Sequence, residues 1–265
     1  HTRYAVVSDL LYRLRQKSWK WHSDKKKDVN FLKNLPGASK TLQIFNADLE
    51  QPDRFDAVIE GCIGVFRVAH LIDLEDKESE QVKTRRAING TLSISKACLD
   101  SKTVKRVVYT SSASTVVFNA KGGLEEMDER TWSDIDFMRE LMPFGASYMI
   151  SKTLTERAAL KFAEERGLDL VTVIPSVIGG PFICPYCPGS VYTSLAMIFS
   201  YKYPNKFLAN IPLVHVNDVA SANIFLLENP DAKRRSIERT KDSWGHEVPQ
   251  YTRHARGRAY YSFFQ

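Results

Sequence analysis

Glycine is missing from the first 36 residues: the first of the chain's 13 glycines is Gly37. That stretch therefore holds no Gly-x-x-Gly-x-x-Gly turn, the device that offers backbone N–H groups to a phosphate at a helix N-terminus. Cysteine is scarce, and 4 scattered residues are too few for a disulfide framework. Cys62 and Cys98 lie in apolar segments and read as core. Cys184-Pro-Tyr-Cys187 has the spacing of a redox or zinc pair, yet no second pair supplies the other zinc ligands and no thioredoxin-like unit surrounds it. It reads as a proline-rich loop, and no metal is expected. No apolar run reaches the roughly 18 residues of a membrane span, and no signal-peptide pattern opens the chain. A cytoplasmic setting without a membrane partner is the default.

The net charge of +6 is uneven. Residues 1–30 carry eight Lys/Arg against three Asp/Glu, and residues 231–265 carry eight against four, so the body between them is slightly acidic. The pI near 9.0 thus comes from two terminal segments with no nucleic-acid-binding module, and no nucleic-acid partner is expected. A length of 265 residues, 43% hydrophobic and 26% charged, suits a soluble α/β domain with or without a small lobe.

Strand and helix patterns alternate. Leu42–Phe45, Gly64–Ala69, Arg106–Thr110 and Leu170–Ile174 read as strands, and Arg54–Glu60, Gln81–Leu99 and Tyr148–Arg166 as helices. The strands are short continuous apolar runs, as in a parallel sheet buried on both faces. The expected fold is a doubly wound parallel sheet, with ligands outside the carboxyl ends of the strands. Ala47-Asp48-Leu49, Val68-Ala69-His70, Thr110-Ser111-Ser112 and Pro175-Ser176 would line that crevice. Residues 1–175 form the expected main domain and 176–265 a small lobe and basic tail, with a strand and helix near 213–228 returning to the sheet. His215 reads as a structural residue beside a helix cap supplied by Asn217 or Asp218.

Of 11 tyrosines only Tyr148 is followed four residues on by a lysine, Lys152. That spacing puts both on one helix face. A phenol with a reference pKa of about 10 exchanges protons poorly at neutral pH until a cation favours its anion. Ser112 could hold a substrate carbonyl against the phenol, which equips the site for hydride chemistry at a carbonyl carbon. On spacing alone a surface Lys beside a half-buried Tyr is the plainer reading. The serine segment at a strand end, followed by this helix, favours chemistry.

Asn46-Ala47-Asp48-Leu49, Gly61-Cys62-Ile63-Gly64-Val65-Phe66, Lys105-Arg106-Val107-Val108-Tyr109-Thr110-Ser111-Ser112, Tyr148-Met149-Ile150-Ser151-Lys152, Gly180-Pro181-Phe182 and Val214-His215-Val216-Asn217-Asp218-Val219-Ala220 occur in this order. Together they resemble the extended short-chain dehydrogenase/reductases, within them the plant dihydroflavonol-reductase-type group, over roughly residues 20–233. The resemblance implies a Rossmann-like NADP(H)-dependent reductase of a small flavonoid-like aromatic ketone, active as a monomer. Ser112, Tyr148 and Lys152 match the catalytic triad. Lys20 and Lys27 match the basic positions for the 2′-phosphate, although Lys25-Lys26-Lys27 also reads as a solvated charge run. Asp48 and Leu49 match adenine contacts, and Val68, Ala69, Thr110, Ser111, Pro175 and Ser190 further cofactor contacts. Val117, Phe118, Phe144 and Met149 match substrate-facing positions and read equally as core. Val117 stands where a polar side chain is usual in dihydroflavonol reductases, which disfavours dihydroflavonols.

Three departures stand against the resemblance. The glycine turn is absent, and Ala5–Arg15 reads as the helix that would follow it, so the first strand is expected to be missing. From Arg234 onward the pattern is lost. Arg67, His70 and Leu71 replace His, Ser and Pro. With His1 at the start, these point to a fragment or a shifted reading frame. An inactive remnant that keeps the fold and binds cofactor weakly is the alternative reading.

Overall fold

The computed structural model describes residues 3–7, 18–23, 30–46, 55–68, 78–119, 128–141, 145–182, 185, 213–232 and 234–237. Seven strands form one parallel sheet: β1 (Arg3–Val7), β2 (Ser18–Ser23), β3 (Leu42–Asn46), β4 (Gly64–Arg67), β5 (Arg106–Thr110), β6 (Leu170–Ile174) and β9 (Arg235–Ile237). Their order is β3-β2-β1-β4-β5-β6-β9, the doubly wound arrangement in which the strand sequence reverses beside β1. Strands β7 (Val177–Gly179) and β8 (Leu213–His215) pair in a separate parallel ribbon.

Every residue of β4, β5 and β6 is buried. Continuous burial needs helices on both faces, and the core divides accordingly. On one face α3 (Phe55–Ile59), α4 (Glu80–Asp100) and α6 (Ala146–Arg166) close over Val65, Val107 and Tyr109 with Phe55, Ile94 and Ala159. On the other, α1 (Asn30–Lys33) and α7 (Val216–Glu228) cover Phe66, Val108 and Val171 with Leu32 and Leu226. The described residues also include α2 (Ala38–Thr41) and α5 (Ile135–Leu141). Cys62 and Cys98 are both buried, as their apolar settings imply. No helix among the described residues is long and apolar enough to cross a membrane.

The structure corrects the expected loss of the first strand. Arg3–Val7 is that strand, paired with β2 on one side and β4 on the other. The helical reading of Ala5–Arg15 rested on apolar spacing, but Tyr4, Val6 and Val7 suit a strand equally. The slot between β2 and β4 offers backbone partners on both sides, which decides between the two readings. Residues 8–17 lie outside the described residues.

A second correction concerns the tail. Arg235–Ile237 pairs with Thr172–Ile174 of β6, so the main sheet continues past the point where the sequence pattern was lost. A three-residue strand is too short to show periodicity. Cys184 and Cys187 lie outside the described residues.

Candidate active site

Strand β5 runs on into Ser111 and Ser112, and two backbone bonds hold this segment against the end of β6. Ser111 N–H donates to Val173 O at 2.7 Å, and Ala113 N–H to Pro175 O at 2.8 Å. Ser112 is extended (φ −158°, ψ 147°) and caps a 3-10 turn, Ala113–Thr115. Its half-buried Oγ accepts from the backbone N–H and the hydroxyl of Ser114, at 3.2 and 3.0 Å.

Helix α6 starts after Gly145, which sits at φ 75°, a left-handed conformation that a side chain would strain. The helix packs on α4 and on the serine turn. Lys83 of α4, itself buried, donates to Ser147 Oγ at 2.8 Å and fixes the first turn. Tyr148 is half-buried, and desolvation pushes its phenol up to about 12. One turn later Lys152 is buried, its Nζ donating to Thr110 O at 3.0 Å and Ser111 O at 3.5 Å. Its amine is lowered to about 7, first by burial and then by the positive charge of Arg67, with Glu156 opposing. Lys152 is thus tied to the carboxyl end of β5, next to Ser112, with Tyr148 one turn before it on α6.

Another turn on, Glu156 is fully buried. It accepts from Ser111 Oγ at 2.6 Å, Thr172 Oγ1 at 2.8 Å and Arg235 Nε at 3.0 Å. Arg235 also donates to the carbonyls of Glu129 and Thr131 and to Thr115 Oγ1, and its guanidinium lies 3.7 Å from the Trp132 ring centroid. This hub joins β5, β6, β9, α6 and the serine turn. Arg235→Ala would strand the Glu156 carboxylate in the interior, which costs about 3–5 kcal/mol. Urea unfolding monitored by circular dichroism checks this; a loss under about 1 kcal/mol, the scale of an exposed pair, would show that the ion pair is not the hub's keystone. Reading the sequence missed both residues. Glu156 carried a signal, four residues beyond Lys152 on the same face; Arg235 carried none.

Other implied positions divide. Pro175 is buried beside the serine turn. Thr110 is tied through Oγ1 to Asn223 Oδ1 at 3.2 Å. Val68 is half-buried beyond β4 and packs on the α1/α7 face. Phe118 is buried with Met138 and Ile150, and Val117 and Met149 lie half-buried at the rim of that cluster. Lys20 is mid-strand in β2, opposite Ala5 and Gln43, short of the carboxyl edge where such sheets take ligands. Lys27, Asp48, Leu49, Ala69, Phe144 and Ser190 lie outside the described residues. His215 itself caps α7, its Nδ1 accepting from Asn217 N–H at 3.2 Å, a place expected of Asn217 or Asp218.

With this geometry in place, likeness to known proteins is informative. The sequence matches the NAD dependent epimerase/dehydratase family over residues 8–238. It is 49% identical over 206 residues to vestitone reductase of Medicago sativa, covering 78% of this chain and 63% of that protein. It is 43% identical over 211 residues to dihydroflavonol 4-reductase of Zea mays, covering 78% of this chain and 57% of that protein. The crystal structure of the alfalfa vestitone reductase superposes with a TM-score of 0.76 at 40% identity, covering 89% of this chain and 76% of that one.

Proposed function

Because the chain belongs to the NAD dependent epimerase/dehydratase family, we propose that it reduces a flavonoid-like aromatic ketone to the alcohol with NADPH, Tyr148 donating the proton. The observation that carries this reading is that Lys152, four residues after Tyr148 on α6, donates to the Thr110 and Ser111 carbonyls at the carboxyl end of β5, beside Ser112. The names of the relatives, a vestitone reductase and a dihydroflavonol 4-reductase, support the substrate class.

The residues at this end of the crevice fit a nicotinamide and its ribose. Lys152 would reach the ribose, and buried Pro175 would border the ring. NADPH, when bound, supplies the hydride. Ser112 holds the carbonyl oxygen, and Tyr148 passes its proton to that oxygen as negative charge develops there. Desolvation makes Tyr148 a reluctant acid, so a charged Lys152 one turn away is needed to stabilise the phenolate left behind. Val117 and Met149, at the rim of the apolar cluster, would face an aromatic substrate. The opposite end of the site fits less well, because residues 1–36 hold no glycine for a pyrophosphate turn.

That glycine-free stretch favours a second reading, an inactive relative that keeps the fold and binds cofactor weakly. Titration of the purified chain with NADPH, followed by nucleotide fluorescence, separates the two. Saturable binding with ketone-dependent oxidation supports the reductase; no binding at millimolar nucleotide supports the inactive relative.

Cofactor choice gives a further prediction. With Lys20 short of the ligand edge, Lys27, which follows β2 in the sequence, should favour NADPH over NADH, and the preference should shrink as salt screens exposed charge. Equal affinities at low salt would sink the assignment to NADP.

A further inference from the structure

Arg67, the last residue of β4, is 1% exposed. Its Nη2 donates to Thr91 Oγ1 of α4 at 2.9 Å, while Nε and Nη1 find no partner among the described residues. No carboxylate pairs with it among the described residues. Its guanidinium lies 5.6 Å from the centroid of the Tyr109 ring, and Lys152 Nζ lies 5.6 Å from the same centroid. Two buried cations therefore share one aromatic ring in β5, at the edge of the catalytic constellation.

We propose that Arg67 is a positioning residue acting through charge: by opposing the Lys152 ammonium across a shared buried ring, it confines the working state of this site to pH values at which Lys152 keeps its proton. The inference rests on the reductase reading for its consequence, but not for its physical content.

Among the groups facing Lys152 only Glu156 offsets this opposition, and only in part. From β4 comes Arg67. From β5 come the Thr110 and Ser111 carbonyls and the Tyr109 phenol, whose hydroxyl has no partner among the described residues and whose pKa burial raises. On α6 itself are Tyr148 and Glu156, and Glu156 is already engaged by Ser111, Thr172 and Arg235 of β9. On α4, Thr91 holds Arg67 and Lys83 is turned to Ser147. In a water-poor interior two like charges disfavour each other, and the lysine yields because a guanidinium keeps its proton at any ordinary pH. The fall in the Lys152 amine, caused first by burial and next by Arg67, agrees in direction. Below the Lys152 midpoint the ammonium supports the Tyr148 phenolate; above it that support is withdrawn.

The test is the titration of Lys152, followed by carbon-13 NMR of the lysine ε-carbons in the full chain and assigned by the signal lost in Lys152→Arg. In the parent the midpoint should fall near neutrality, far below the roughly 10.4 of a free lysine. Arg67→Gln, which keeps a donor for Thr91 and removes the charge, should raise it by about one pH unit or more. An unchanged midpoint in a folded Arg67→Gln protein overturns the proposal. If that variant does not fold, a parental midpoint near that of free lysine overturns it alone, and folded Arg67→Met gives the same comparison. Where turnover is measurable, its alkaline limb should move with the NMR midpoint. A protein with no turnover but a shifted midpoint would refute the reductase reading and leave the charge opposition standing.

Discussion

Tyr148→Phe is expected to lower turnover of any accepted ketone by about 10²–10⁴-fold, the range for loss of a general acid, while NADPH affinity stays within a few-fold of the parent. The substitution removes one oxygen from a half-buried ring and leaves α6, Lys152 and the serine turn in place. Its effect should therefore fall on proton donation rather than on folding. Lys152→Ala should differ, because Lys152 ties α6 to the Thr110 and Ser111 carbonyls: both turnover and cofactor binding should fall. Steady-state kinetics with a panel of flavonoid-like ketones, alongside fluorescence titration of NADPH, reads both quantities. A Tyr148→Phe protein that turns over at nearly the parental rate would remove Tyr148 from the mechanism.

The second large effect concerns the pyrophosphate. Backbone N–H donors to a charged phosphate are each worth very roughly 1.5–3 kcal/mol, and residues 1–36 carry no glycine with which to present them. Losing two such bonds weakens binding by about two to four orders of magnitude. NADPH binding by the chain as it stands should therefore be weak. Since β1 already fills its place at the sheet centre, restoration needs only a Gly-x-x-Gly-x-x-Gly turn substituted directly after Val7. That variant should bind NADPH at least about a hundredfold more tightly. A submicromolar dissociation constant for the unmodified chain would refute the expectation.

The parallel sheet and its central strands were legible because β4, β5 and β6 are short, mostly apolar runs that alternate with helical segments. The triad candidates were legible because a strand-end serine and a Tyr-x-x-x-Lys step are local signals. Strands β1 and β9 were not. Arg3–Val7 carries as much helical as strand character, and Arg235–Ile237 is too short to carry a pattern; each is a strand because a neighbouring strand has unpaired backbone groups waiting for it.

Side-chain environments divide in the same way. The sequence by itself determined the fold class, the candidate residues Ser112, Tyr148 and Lys152, and the absence of glycine ahead of Gly37. Only the tertiary structure decided what surrounds them. It gave Glu156 an arginine from 79 residues away and buried Arg67, with no carboxylate paired to it among the described residues, beside the ring that Lys152 also faces. Hydrophobic periodicity and helix spacing are properties of neighbours in the chain. The charge that a buried amine or carboxylate experiences is set by groups that only the closed sheet brings within reach.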